Sequence, residues 1–130
     1  MREILFRGKV VNDDLTQPGE WVQGDLLQNE DGRCYIWIRN TFLDFNVDPE
    51  TVGQYTGLKD KNGQMIFEGD IVDYNGTRHQ VVFEDRYECA YFGIRMSEIE
   101  TWHFGRSVPS NYLRIIGNIH DNPELMEGKL

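Results

Sequence analysis

Cysteine, proline and basic side chains are scarce in this sequence. It has two cysteines and four prolines among 130 residues, and 13 Lys and Arg against 22 Asp and Glu give a formal net charge of −9. Cys34 and Cys89 cannot form a disulfide framework, so we expect reduced, intracellular thiols. Because the acidic excess leaves no strongly basic stretch, binding to nucleic acid is disfavoured.

Long apolar runs are missing as well. No run approaches the ~20 residues that a membrane-spanning helix needs. Residues 1–7 lack the apolar stretch of a signal peptide. We therefore expect a cytoplasmic chain with no membrane partner. Hydrophobic residues make up 39% of the sequence, which is enough for one modest core.

Patterns typical of β-strands cover much of the sequence. The 13 glycines interrupt the chain so often that long helices have little room. Between them, apolar and polar residues alternate with the period of a β-strand, as in 77–83, where Thr77, His79, Val81 and Phe83 share one face. The pattern predicts strands at 4–11, 21–27, 33–39, 55–58, 65–67, 70–74, 77–84, 88–94 and 112–119.

Turn sequences indicate how these strands are joined. Asn75-Gly76 supplies two residues that tolerate positive φ, which predicts a two-residue type I′ hairpin. The segment 60–63, Asp-Lys-Asn-Gly, predicts a longer turn with Gly63 in the left-handed region. Gly24 interrupts a predicted strand and favours a β-bulge there. Residues 95–111 are predicted to form a long connection.

The predicted fold class is mostly β, or at most a β-rich α+β fold. An N-terminal β meander is expected over 1–50, and an SH3-like, partly closed β-barrel over 51–120. The tail 121–130 has an Asn cap, a proline at the first helical position and a glycine past the end, which predicts a short C-terminal helical turn. The alternative is that the two β regions form one compact domain.

No residue pattern here is typical of a catalytic, cofactor or metal site. The histidines, His79, His103 and His120, are far apart, and no Cys-x-x-Cys or His-x-x-x-His spacing occurs. Both cysteines lie in apolar strands, where cysteine usually acts as a small buried hydrophobe. Most paired carboxylates lie at turns, where they cap backbone N–H groups. We expect a chain without catalytic residues, cofactor or metal.

One acidic turn is more informative. The run 68–70, Glu-Gly-Asp, directly precedes a predicted strand, as in small barrels of the SH3 type. There Gly69 lets the chain turn sharply, and the Asp70 carboxylate bonds backbone groups downstream. This turn chemistry implies no ligand site.

Aromatic residues are abundant, with three Trp, six Tyr and seven Phe. Some must fill the core, while others mark an interface, because Trp and Tyr are favoured at contact hot spots. Trp102, His103 and Phe104 are the candidate interface residues. The alternative is that their segment folds back as a lid over the core. Open sheets also leave edge strands that a second copy can pair, so we expect a homo-oligomer.

The central residues 47–72 carry a family resemblance. Their sequence, from Val47-Asp-Pro-Glu-Thr through Gly-Asp-Ile-Val72, resembles the signature of the YopX family of phage and prophage proteins. The segments 1–9, 19–26 and 116–125 also resemble that family. The resemblance implies a small β-rich protein of temperate phages, in the cytoplasm of a Gram-positive bacterial host, and supplies no catalytic residue.

The resemblance also sharpens the expectation for 51–72. This segment is expected to form a unit of turn, strand, turn and strand. The positions at which the backbone conformation requires glycine would be Gly53, Gly57, Gly63 and Gly69. Its core residues would be Tyr55, Leu58, Ile66 and Ile71.

The leading functional hypothesis is a non-enzymatic phage accessory protein that acts by self-assembly or by contact with a host or phage protein. A nucleic-acid-associated small β-barrel is one alternative, and it needs a basic face. An uncharacterised hydrolase is the other, and it needs a deep polar pocket.

Overall fold

The structure is a computed structural model that describes residues 3–11, 19–85, 90–98, 100–104 and 107–127. The described strands in chain order are β1 Phe6–Lys9, β2 Trp21–Gln28, β3 Cys34–Trp37, β4 Asp44–Val47, β5 Gly53–Lys59, β6 Met65–Phe67, β7 Asp70–Tyr74, β8 Thr77–Glu84, β9 Tyr91–Arg95, β10 Thr101–His103 and β11 Arg114–Asn118. Three short 3₁₀ helices accompany them: η1 Pro49–Thr51, η2 Ser110–Tyr112 and η3 Pro123–Met126. The mostly β fold class is confirmed.

The strands form two sheets, with the orders β4-β3-β2-β1-β5-β6 and β10-β9-β8-β7-β11. Strands β1 to β4 pair in chain order as an antiparallel meander. In the second sheet β7 to β10 also pair in chain order, and β11 lies antiparallel to β7. Since β10 and β11 are its outer strands, the described strands do not close a barrel, and the SH3-like architecture stays a prediction.

The chain divides by its contacts into two compact units, Met1–Tyr55 and Thr56–Leu130. Each unit has its own apolar core. The core of unit 1 contains Val10, Cys34, Ile36, Phe45 and Val47. The core of unit 2 contains Ile66, Val72, Val81, Phe92, Ile94, Phe104, Val108 and Leu113. The predicted domains 1–50 and 51–120, with the tail 121–130, stay a prediction.

Two predicted turns are confirmed. Asn75 and Gly76 have φ values of 54° and 87°, and Tyr74 pairs with Thr77 on either side of them, as a type I′ hairpin requires. Gly63 has a φ of 81°, and its N–H donates to Asp60 O over 3.0 Å. Both turns arise from local sequence, because each depends on residues that tolerate the left-handed region.

The strand β10 corrects the prediction of a long connection over 95–111. Its residues Thr101, Trp102 and His103 pair antiparallel with β9. The separate strand β4 was also not predicted, because no glycine or proline marks the turn before it. Asn40 makes that turn with a φ of 64°, a conformation that Asn tolerates better than most residues.

The alternation predicted for β8 holds only from Arg78 to Val81. His79 and Val81 are buried as predicted, whereas Phe83 is exposed, and Val82 and Glu84 are buried instead. The first half of β8 pairs with β7 and the second half with β9. The two halves therefore have different neighbours, which a single alternation pattern cannot represent.

Two further local predictions, the bulge at Gly24 and the cap at Asn122, are wrong. Gly24 forms no bulge, because the register between β1 and β2 is continuous through its pairing with Phe6. The Asp70 carboxylate accepts from the upstream Phe67 N over 2.8 Å, and a bond to a backbone group downstream stays a prediction. The Asn122 side chain does not cap η3, because its Oδ1 accepts from Asn118 N over 3.2 Å.

The segment 51–72 largely follows its expectation. Gly57, Gly63 and Gly69 have positive φ values, whereas Gly53 lies in regular pairing with Arg7. Of the four expected core residues, Leu58 is partly buried and packs against the core of unit 2. The other three are buried: Tyr55, Ile66 and Ile71.

The buried Tyr55 gives a prediction for alkaline pH. Burial raises the pKa of its phenol, and the negative charge of Glu3 raises it further. The folded state therefore favours the neutral phenol, and this stabilisation is complete below the ordinary pKa of 10.0 and is lost as the pH passes the raised value. We expect thermal unfolding measured from pH 8 upward to show a loss of stability above about pH 10.

The substitution Tyr55→Phe tests the cause. It removes the titrating group, so the stability of this variant should fall less steeply at alkaline pH than that of the wild type. The exposed Tyr112 provides the control, since Tyr112→Phe should retain the wild-type profile. Identical profiles for the wild type and Tyr55→Phe would contradict the assignment.

Candidate functional site

The predicted interface residues lie on and next to the outer strand β10. Phe104 is only 5% exposed and belongs to the core of unit 2, so it adds no area to a contact of the folded chain. Trp102 is half-buried, and its ring meets Tyr74 edge-on at 6.5 Å between centroids. His103 lies against Tyr91, with 4.9 Å between the ring centroids. A partner contact through Trp102 and His103 stays a prediction.

The residues singled out for chemistry are not brought together. His79 is buried in β8, His103 lies in β10, and His120 follows β11. Cys34 is buried in the core of unit 1, as expected of a small hydrophobe, and Cys89 lies outside the described residues. Within the ranges that the structure describes, no group of three or more His, Cys, Asp and Glu side chains could hold a metal ion.

The outer face of the unit 1 meander presents a second set of aromatic residues. Successive side chains of a strand point to opposite faces, and Leu26, Ile36 and Phe45 point into the core. Their neighbours therefore point outward. The outward-facing residues are Trp21, Asp25, Leu27, Tyr35, Trp37 and Asp44.

The turn between β3 and β4 extends this face with apolar residues. Phe42 is fully exposed, at 104% of its reference area, and Leu43 is 42% exposed. The Trp37 indole N–H donates to Thr41 O over 2.9 Å, which holds the ring beside the turn. The turn itself is fixed by the bond from Ile38 N to Leu43 O, 2.9 Å. Phe42 is thus held outward by an ordered turn.

We call the exposed apolar residues of this region the outer patch: Ile4, Leu27, Trp37, Phe42 and Leu43. Hydrogen bonds and pairing connect its members. The Arg39 guanidinium donates to Ile4 O and to Asp25 Oδ1, and Asp25 pairs directly with Trp37. Leu27 lies on the same outward face as Trp37, on the neighbouring strand, and the turn places Phe42 and Leu43 next to it.

The charges next to the outer patch are paired with one another. Arg39 lies 2.8 Å from Asp25 and 3.7 Å from Glu3. The hydrogen bond to Asp25 raises the pKa of Arg39; desolvation lowers it, and the charges of Asp25 and Glu3 raise it further. The guanidinium therefore stays charged at any working pH. One cation thus faces two carboxylates, and this rim offers no excess positive charge to an anionic partner.

A family model for the YopX protein matches residues 7–127. The chain belongs to the YopX family. The matched residues include four of the five members of the outer patch, all except Ile4. The resemblance found in the sequence is thereby confirmed.

Comparison with solved structures adds a similarity to the protein EF1440 from Enterococcus faecalis. That crystal structure shares 23% sequence identity with this chain. The match covers 98% of this chain and 100% of the other chain, with a TM-score of 0.49. Comparison with curated proteins gives no match. Among the described residues, no helix is long and apolar enough to cross a membrane.

Sequence reasoning missed the outer patch for a local reason. The stretch 33–48 contains no glycine or proline, so it was interpreted as strand, and strand interiors are where apolar residues are expected. The available signal was Asn40, because Asn followed by a polar residue is compatible with a turn. A turn at Asn40 would have placed Phe42 and Leu43 at an exposed tip.

Proposed function

We propose that this YopX family member is a non-enzymatic accessory protein of a phage or prophage. In this proposal it acts in the cytoplasm of the bacterial host by self-assembly through the outer patch. The observation that carries the proposal is the complete exposure of Phe42 beside Trp37 and Leu43. Contiguous exposed apolar side chains of this kind mark interaction sites.

A second copy of the chain is the partner that this surface fits best. Arg39 is paired with both Asp25 and Glu3, which leaves a rim charge of only 1 − 2 = −1, so the surface does not select a strongly charged partner. An apolar patch with a weakly charged rim complements another patch of the same composition, and a twofold dimer supplies one. A host or phage protein of similar surface is the other outcome of the test.

Substitution of Phe42 tests the proposal. Phe42→Ser should leave the fold intact, because the side chain has no buried area in the monomer. Burial of a Phe side chain contributes about 1.5–3 kcal/mol, so its loss should raise the dissociation constant of a dimer by about tenfold or more. Sedimentation velocity over a concentration series measures this change directly.

Tyr112→Ser provides the matched control. Tyr112 is an exposed aromatic residue of unit 2, 64% exposed, and it lies outside the outer patch. This variant should associate as the wild type does, whereas Trp37→Ser should weaken association as Phe42→Ser does. If Phe42→Ser and Tyr112→Ser weaken association equally, the outer patch is not the interface.

Association with nucleic acid is the second candidate function, and one observation favours it. On the outer face, the Arg7 guanidinium lies 4.7 Å from the Trp21 ring centroid, and Lys9 Nζ lies 5.8 Å from it. Cations beside aromatic rings are used to bind single strands. The net charge of −9 opposes this function. Fluorescence anisotropy with single- and double-stranded oligonucleotides, begun at low salt and repeated as salt rises, distinguishes this function from self-assembly. Only nucleic-acid binding would weaken as salt rises.

A further inference from the structure

A cavity of about 350 Å³ lies in unit 2. Its wall includes Arg78 and His79 of β8, Arg95 of β9 and Met126 of η3. Small-molecule sites have volumes of about 300–1,000 Å³. The cavity is therefore large enough for a small organic molecule, although not for a large one.

Arg95 provides a hydrogen-bond donor at this wall. Its Nε atom is buried and has no hydrogen-bond partner among the described residues. Because this atom has almost no exposed area, the Arg95 side chain must shift to present it to the cavity, where a bound acceptor would remove the cost of the missing hydrogen bond. The Nε and Nη2 groups of an arginine form a planar fork that matches the two oxygens of a carboxylate.

His79 adds a polar ring to the same wall. Its Nδ1 lies 3.2 Å from Arg95 O, and since a carbonyl only accepts, Nδ1 carries a proton. Its Nε2 lies 2.7 Å from the Thr77 hydroxyl, which donates its single proton to Tyr74 O over 2.8 Å. The contact with Arg95 O therefore holds the His79 ring against the backbone of Arg95 at this wall.

The rest of the wall combines charge with an apolar surface. Arg78 lines the cavity, and its Nη1 donates to Leu125 O over 3.2 Å. Among the described lining residues Glu98 alone is acidic, so the cations exceed it in number. Met96 and Met126 supply flexible apolar side chains that adapt to different ligand shapes.

We propose that this cavity binds a small organic carboxylate. The carboxylate group bonds the Arg95 fork, and the apolar body of the ligand packs against Met96 and Met126. This inference does not depend on the outer patch, because the cavity belongs to unit 2 and the outer patch to unit 1. The two proposals can therefore fail separately.

Sodium benzoate is the probe for the test, with benzyl alcohol as its uncharged counterpart. We expect isothermal titration calorimetry on the full chain to give a dissociation constant for benzoate of about 1 mM or lower. Benzyl alcohol and inorganic phosphate should each bind about tenfold more weakly, because one lacks the carboxylate and the other lacks the apolar body.

Substitutions of arginine identify the guanidinium group that binds benzoate. Arg95→Gln should weaken benzoate binding about tenfold or more, whereas Arg114→Gln should leave it unchanged. Arg114 is a matched control because it belongs to the same unit and is half exposed, 4.0 Å from Asp73. If Arg95→Gln does not fold, NMR of the wild type replaces it, and benzoate should shift the Nε–Hε signal of Arg95.

Three results would overturn the proposal. The first is no benzoate binding to the wild type at about 10 mM, which is well above the expected dissociation constant. The second is equal affinity of the wild type and Arg95→Gln, or an unchanged Arg95 Nε–Hε signal on benzoate addition. The third is binding of inorganic phosphate as tightly as benzoate. This result would mean that the cavity binds a simple anion and is not specific for an organic carboxylate.

Discussion

Replacement of Gly24 by alanine is expected to destabilise unit 1 by about 3 kcal/mol or more. A Cβ atom at position 24 would lie 2.0 Å from Trp37 O and 2.8 Å from Trp37 C. These are backbone atoms of the neighbouring strand, so they cannot move aside as a flexible side chain can. Formation of the folded state would require β2 and β3 to separate, with loss of their hydrogen bonds. Urea unfolding, followed by tryptophan fluorescence, measures the loss.

Gly32→Ala is the matched control for Gly24→Ala. Gly32 has a φ of +90° with no atom within 4 Å of the added Cβ, so its substitution introduces backbone strain alone, about 1–2 kcal/mol. The difference between the two variants therefore reports the steric contact. Equal losses of stability for Gly24→Ala and Gly32→Ala would contradict a steric requirement for glycine at position 24. Gly93 meets Trp102 O at 2.2 Å in the same way, and Gly93→Ala should repeat the effect in unit 2.

Replacement of Asp60 by alanine is expected to cost unit 2 about 3 kcal/mol. The carboxylate is 5% exposed and accepts three backbone hydrogen bonds. Oδ1 accepts from Asn62 N and Gln64 N, both over 2.9 Å, and Oδ2 accepts from Ile115 N over 3.0 Å. Alanine would leave these donors without a partner and would remove the link between the turn and β11.

Two further variants define the role of Asp60. Asp60→Asn should lose about half as much stability, because one oxygen can still accept the turn bonds while the amide NH₂ faces the Ile115 N–H. Asp31→Ala should lose about 1 kcal/mol or less, since the exposed Asp31 accepts a single backbone bond, from Arg33 N. Thermal and urea unfolding measure all three. A loss for Asp60→Ala no larger than that for Asp31→Ala would contradict the structural role.

Features fixed by neighbouring residues could be predicted from the sequence. The hairpin at Asn75-Gly76 depends on two adjacent residues that tolerate positive φ. The strands β6, β7 and β8 have the bounds that alternation and turn chemistry predict. The mostly β fold class follows from the same local rules, because frequent glycines leave no room for long helices.

Features that depend on distant residues could not be predicted. The sequence placed Asp60 in a turn, but its bond to Ile115 N joins positions 55 residues apart. The sequence predicts a bulge at Gly24, because the close approach of Trp37 O, which is what requires glycine there, depends on the pairing of β2 with β3. The strand β10 forms because β9 offers it an edge, and its own three residues carry too short a pattern to predict a strand.

The candidate site likewise has features that the sequence predicts and features that it does not. The aromatic surplus correctly indicated that some rings must lie at the surface, and Trp37 is one of them. Which rings are exposed depends on the faces that the cores cover, so the sequence could not distinguish Phe42 from the buried Phe104. The cavity beside Arg95 is likewise formed by residues from β8, β9 and η3 that no local pattern connects.

Self-association through the outer patch is the central claim, and sedimentation equilibrium at low and high salt tests it most directly. Two copies with a net charge of −9 each repel one another, and salt screens this repulsion while leaving apolar contacts in place. We therefore expect a species of twice 15.2 kDa whose dissociation constant falls or stays constant as salt rises. A 15.2 kDa species at every protein concentration, or a dimer that dissociates as salt rises, would contradict the account.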